Sequence, residues 1–91
     1  MKLKLFQNLN AIKDEIQKYM KPSATPLTFV MSSGLIKIRA DVSVAFIIYD
    51  KTRTINSIEM CIYNCMIKKY MSTNDVLILD RELQKYVGQK I

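Results

Sequence analysis

At 91 residues the chain suits one domain, because a chain of this size buries only about 60–65% of its unfolded surface and cannot divide that core in two. It is 49% apolar and 24% charged, with two Gly and two Pro, which excludes a disordered polypeptide and long flexible linkers. Fourteen Lys and Arg against eight Asp and Glu leave +6, a balance that favours anionic partners and is silent about fold.

Leu5, Leu9, Ile12, Ile16 and Tyr19 recur at alternating steps of four and three, one apolar stripe along a helix predicted over residues 3–20. Asn10, Lys13, Asp14, Gln17 and Lys18 fall mostly on its other side, and Pro22 stops it. Lys2-Leu3-Lys4-Leu5 also alternates like a short strand. Residues 22–26 connect to a strand predicted over residues 27–31, and Ser32-Ser33-Gly34 makes the turn.

From Ile36 to Ile48 every even position is apolar: Ile36, Ile38, Ala40, Val42, Val44, Phe46 and Ile48. Lys37, Arg39, Asp41 and Ser43 stand between them, so the pattern predicts one continuous buried face. A bend near Ala40-Asp41 gives a three-stranded meander. One long strand would instead outrun its hairpin partner and leave backbone N–H and C=O groups uncovered. A second copy of the strand would pair them, and on that argument a homodimer is expected. Ala45, Ile47 and Tyr49 make the far half apolar on both faces, in line with such pairing.

A helix is predicted over residues 56–71 from Ile58, Cys61, Ile62, Cys65 and Met66, with Asn56 as N-cap and Glu59 reaching back. Ser72-Thr73-Asn74-Asp75 is an N-capping signal. Val76, Leu79, Leu83, Tyr86 and Val87 then mark a last helix ending at Gly88. The fold class is α+β, a single compact domain over residues 1–91 in the order α–β–β(–β)–α–α. It comprises an N-terminal helix, an antiparallel two- or three-stranded meander with one long strand, and two C-terminal helices.

Cys61 and Cys65 would share one helical face as free buried thiols of a reducing compartment. Two Cys and no His fall short of a structural zinc site, and no metal or cofactor is expected. Lys2 and Lys4 are followed by no apolar h-region, and Val42–Tyr49 is too short to span a bilayer. The expectation is a cytoplasmic protein of a cell or an infected host. The bias towards Ile, Lys, Asn and Met resembles products of AT-rich genomes, many viruses and phages among them.

Without His the chain lacks the usual general base near neutral pH and the usual orienting partner of a nucleophile. Asp41, Asp50, Glu59 and the other acids are scattered, short of the converging carboxylates a metal-dependent nuclease needs. With Gly34 and Gly88 as its only glycines, the chain has no phosphate-binding loop. The expectation is a binding protein without catalytic activity.

Positive charge is segregated. Residues 1–21 carry five Lys against Asp14 and Glu15, and residues 51–71 carry Lys51, Arg53, Lys68 and Lys69 against Glu59. Lys51-Thr52-Arg53-Thr54 precedes the predicted helix 56–71, whose free N–H groups and dipole would favour a phosphate. Lys37 and Arg39 would extend this grip from the polar face of the sheet. The candidate nucleic-acid-binding residues are therefore Lys37, Arg39, Lys51, Arg53, Lys68 and Lys69, with Tyr49, Tyr63 and Tyr70 placed to stack on bases. The expected partner is RNA ahead of DNA. The alternative is an interaction module, such as an inhibitor docking on a host protein or an acidic protein, for which six Met and a doubly apolar strand would suit.

Helix, β-meander, then a helix opened by a basic turn resembles the layout of double-stranded RNA-binding domains over about residues 3–71. In that family a basic cluster at the second helix grips phosphates across the major groove. The resemblance implies that role for Lys51 and Arg53 by position. The family's lysine-rich run and small-residue helix pattern are absent here.

Overall fold

A computed structural model describes residues 6–21, 26–61 and 65–91. The chain is α+β: an N-terminal helix, a four-stranded antiparallel sheet and a C-terminal helix. Helix α1 spans Gln7–Tyr19 and buries Leu9, Ile12 and Ile16, the stripe that the spacing marks. It ends where Met20 turns to extended backbone and donates its N–H to the Gln17 carbonyl. Leu5, the alternating start of the chain and Pro22 lie outside the described residues.

The strands are β1 (Thr28–Ser32), β2 (Leu35–Arg39), β3 (Ser43–Tyr49) and β4 (Ile55–Met60), in the spatial order β1-β2-β3-β4. Ser33 and Gly34 form the first turn, with Gly34 at φ 77, a conformation open to glycine at little cost. Of the two arrangements open for Ile36–Ile48, the chain adopts the bend. Ala40, Asp41 and Val42 separate β2 from β3, and the ladder shifts register between Ile38 and Arg39.

That connection changes which side chains face the core. Facing residues of an antiparallel pair lie on one side of the sheet. Ile36 faces Ile47 and Ile38 faces Ala45, so even positions of β2 share a side with odd positions of β3. One row on this side runs Met31, Ile36, Ile47, Ile58 across all four strands, and the next runs Phe29, Ile38, Ala45, Met60. The two central residues of each row are fully buried. The expectation of one continuous even-numbered buried face therefore holds through Val44, which is fully buried at the register shift with Ala40 and Val42 packed against the core, and fails at Phe46 and Ile48, which lie on the opposite side.

The region expected as a helix over residues 56–71 is instead β4 followed by a short 3-10 helix, Cys65–Lys69. Ile58 fits a helical stripe, yet Ile58 and Met60 also alternate with Ser57 and Glu59, an ambiguity typical of short apolar runs. The unpaired edge of β3 decides it: β4 satisfies backbone groups that a helix there would have left to water or to a second chain. Asn56, expected as an N-cap, is exposed on the strand. With β4 in place, the structural reason for a homodimer through one long strand is gone. Cys61 follows β4 and Cys65 opens the 3-10 helix, so the two do not share a helical face. Cys61 is a free, half-buried thiol whose pKa burial raises.

Helix α2 spans Thr73–Leu83 and buries Val76, Leu79 and Leu83; Ser72 caps it by accepting the Asp75 N–H at 3.1 Å. A 3-10 turn, Gln84–Tyr86, continues it, and Gly88 follows at φ 91. In place of two C-terminal helices there is thus one α-helix with short 3-10 segments on either side. The helices run antiparallel: Lys85 Nζ meets Glu15 Oε1 at 2.7 Å, and the Tyr19 hydroxyl donates to Glu82 at 3.3 Å. Both belong to the core built on the Ile36–Ile47 side of the sheet, and Lys13 of α1 sits 5.7 Å from the Phe29 ring centroid on that side.

The outer edge of β4 is closed by the chain itself. Asp80 accepts the Met60 N–H at 3.0 Å and Gln84 donates to the Ile58 carbonyl at 2.9 Å. Ile55 donates to the Gln89 carbonyl and accepts from Gly88, each at 2.8 Å. Such cover keeps a strand edge from templating another chain. Replacing Asp80 and Gln84 together by Ala should cost about 1 kcal/mol per lost hydrogen bond and speed amide exchange at Met60, measured by denaturant unfolding and hydrogen exchange. Ile47→Ala, at the centre of the buried row, should cost about 2–5 kcal/mol in the same unfolding measurement.

Candidate nucleic-acid interface

On the side of the sheet away from the helices the rows mix apolar and charged residues. One row reads Val30, Lys37, Phe46, Glu59 and its neighbour reads Ser32, Leu35, Ile48, Ser57; Arg39 lies beyond, opposite Thr28 and Ser43. No described helix covers this side. Val30 is 39% and Ile48 48% exposed, while Phe46, Lys37 and Leu35 are half-buried. Lys37 and Arg39 lie two residues apart on β2 and point the same way, with Cα atoms about 6.6 Å apart.

The six sequence-derived candidates do not form one patch. Lys37 and Arg39 are together on the open sheet face. Lys51 and Arg53 are exposed in the β3–β4 turn. Lys68 and Lys69 are exposed in the 3-10 helix, joined to the opposite end of the sheet where Tyr70 donates to Asp41 and accepts the Lys21 N–H. The seven residues of β3, about 20 Å of strand, separate these two ends.

Lys51-Thr52-Arg53-Thr54 leads into a strand, so the expected grip at a helix N-terminus is absent. Its polar groups are engaged by Asp50 and Lys90. Asp50 Oδ1 accepts from the Thr52 N–H at 2.9 Å, the Thr52 hydroxyl at 2.6 Å and the Thr54 N–H at 3.1 Å. Lys90 Nζ donates to the Thr52 carbonyl at 2.8 Å and the Thr54 hydroxyl at 3.0 Å. This is an Asx-type turn, for which Asp with Thr two and four residues on is the sequence signal. The Thr52 hydroxyl, then the other donors of the turn, hold the Asp50 carboxyl below its ordinary 3.8. Loss of the expected second helix also removes the landmark on which the resemblance to double-stranded RNA-binding domains rests.

Of the tyrosines expected to stack, Tyr70 is buried and its hydroxyl donates to Asp41 Oδ2 at 2.6 Å, a bond that raises the phenol pKa. Tyr63 lies outside the described residues. The half-buried Tyr49 donates its hydroxyl to the Ser32 carbonyl at 3.0 Å. The aromatic residue that shares a face with two cations is Phe46, which the even-position pattern had assigned to the core. Counting the parity change across each hairpin is the signal that places it outside.

Asp41 lies at one end of the sheet, Asp50 at the other and Glu59 on the open face, so these acids do not converge. Among the described residues no three His, Cys, Asp or Glu side chains could together hold a metal ion, and no helix is long and apolar enough to cross a membrane. Comparison with protein-family models, curated proteins and solved structures finds no match.

The Asp50 network carries a pH dependence. A carboxyl whose native pKa is depressed contributes stability present above its unfolded value and lost as pH falls through the native one. Asp50→Ala should therefore lower Tm at pH 7 and narrow the difference from wild type as pH drops below 3.8, measured by thermal unfolding from pH 7 to pH 2.5.

Proposed function

We propose that this domain binds single-stranded nucleic acid, RNA foremost, on the helix-free face of its sheet and has no catalytic role. The observation that carries this reading is the placement of Phe46 in the centre of that face, directly across from Lys37 and close to Arg39. A base can stack on the phenyl ring whatever its identity, while the two cations neutralise the adjoining phosphates. Glu59, on the other flank of Phe46, repels phosphate and directs the backbone to the β2 side. Val30, Leu35 and Ile48 offer apolar area to sugars and base faces. The net charge of +6 favours encounter with a polyanion. Lys68 and Lys69 stand apart from the face as solvated charges.

The exposed Val30 and Ile48 favour a second reading, in which the face docks on a protein. Salt separates the two, because phosphate contacts release counterions and hydrophobic docking does not. Fluorescence anisotropy with a single-stranded RNA at about 50 and 200 mM salt should show binding that weakens steeply across that range. Phe46→Ala should cost about 1–3 kcal/mol of affinity. Lys37→Ala with Arg39→Ala should reduce the slope of log K against log salt by about 1.4, two single-strand phosphate contacts. Absence of binding at the lower salt, or binding untouched by all three substitutions, overturns the proposal and turns attention to a protein partner.

A further inference from the structure

A cleft of about 430 Å³ opens where the β1–β2 and β3–β4 turns lie side by side, lined by Ser33, Gly34, Tyr49, Lys51, Arg53 and Asn56 together with Asp50. Two hydrogen bonds tie its walls together: the Tyr49 N–H to the Gly34 carbonyl at 3.1 Å, and the Tyr49 hydroxyl to the Ser32 carbonyl at 3.0 Å. We infer that this cleft, with Lys51 and Arg53 at its mouth, receives the terminal phosphomonoester of a bound nucleic-acid strand. The inference rests on the sheet-face reading above and specifies which strands that face takes.

Charge is the first argument. Neither Lys51 nor Arg53 is in an ion pair among the described residues. The acid in the lining, Asp50, has Oδ1 occupied by three donors of its own turn, and Lys90 binds that turn as well. An internal phosphodiester carries one negative charge, whereas a terminal monoester carries about −1.5 to −2 at pH 7 and three strong acceptor oxygens. Two neighbouring cations, one of them a guanidinium that can bind two oxygens at once, match the dianion. The Ser33 hydroxyl and the Asn56 amide supply neutral donors.

Position is the second argument. Arg39, Lys37 and then the Ser33–Gly34 turn follow one another along β2 and its end. The cleft lies at the sheet end about 10 Å beyond Lys37, three residues of extended chain, and its Tyr49 wall packs against the core, so a strand whose phosphates meet Arg39 and Lys37 would round that end to enter it. The cleft is open to solvent and larger than a bare phosphate requires, so the nucleotide carrying the phosphate can remain partly outside it.

The test uses three oligoribonucleotides of one sequence, carrying a 5′-phosphate, a 3′-phosphate or hydroxyls at both ends. One phosphorylated form should bind about tenfold tighter than the hydroxyl form. That advantage should vanish in Lys51→Ala/Arg53→Ala and shrink in Lys51→Gln, which leaves untouched Arg53, whose backbone is left-handed at φ 65. Equal affinity of all three for the wild-type protein overturns the inference while leaving the sheet-face reading intact. Titration with inorganic phosphate, followed by NMR at the Ser33, Gly34, Arg53 and Asn56 amides, addresses the cleft alone. Saturable shifts lost in the double variant support the phosphate site even where no oligonucleotide binds, an outcome that would sink the sheet-face reading instead. Absence of such shifts overturns the site.

Discussion

β3 is held from both sides. Ile36 of β2 and Ile58 of β4 face Ile47 across the two ladders, and the helices close over that row to leave it fully buried. Moving the register by one residue would exchange Ile47 and Ala45 for Phe46 and Ile48, because side chains alternate strictly along a strand. The burial of that row therefore fixes the other face as well. Phe46, Lys37 and Ile48 meet solvent because Ile47 does not.

The second constraint is the treatment of the sheet's edge. A four-stranded meander has two outer edges, and here β4 is covered by side chains of α2 and the adjoining 3-10 turn and by the segment through Gly88 to Ile91. The bonds that close the edge also fasten α2 to the strand it packs against. The isolated bridge between Thr54 and Lys90 and the burial of Ile91 extend the arrangement to the β3–β4 turn, where Lys90 joins Asp50 in ordering the Thr52 and Thr54 hydroxyls. The cations of that turn, Lys51 and Arg53, are thus carried on a scaffold whose polar groups are satisfied internally, and their side chains are directed outward. A turn organised in this way has its backbone ordered before binding, which leaves the side-chain rotamers of Lys51 and Arg53 as what binding must fix.

These constraints relocate the chemistry. A basic cluster at a helix N-terminus would have drawn on free N–H groups and a dipole. The observed arrangement is a sheet face carrying one aromatic and several aliphatic side chains, with Lys37 and Arg39 on one flank and a polar cleft at the sheet's end. On the function proposed above, stacking and phosphate neutralisation, both tolerant of sequence, would take a single strand of any composition rather than a particular duplex.

Much of the fold was legible from residues alone. Leu9, Ile12 and Ile16 mark α1, Ser72 and Asp75 mark the start of α2, and Gly34 marks the first turn, because each depends on chemistry within a few residues. The identity of residues 55–60 was not legible, since Ile58 with Cys61 fits a helical step and Ile58 with Met60 an alternating one, and so short a run does not choose between them. Only the unpaired edge of β3, a feature of tertiary structure, selects the strand. The assignment of Phe46 failed for a related reason: the even-numbered series is unbroken in sequence, but at the register shift in the β2–β3 ladder Val44 and Ala45 are both buried, and the two faces exchange from there on. Lys37 and Arg39 were identifiable as a pair from their alternation with Ile36 and Ile38. That Lys51 and Arg53 lie near one end of that face and Lys68 and Lys69 at the other was decided by chain reversal, which local sequence does not encode.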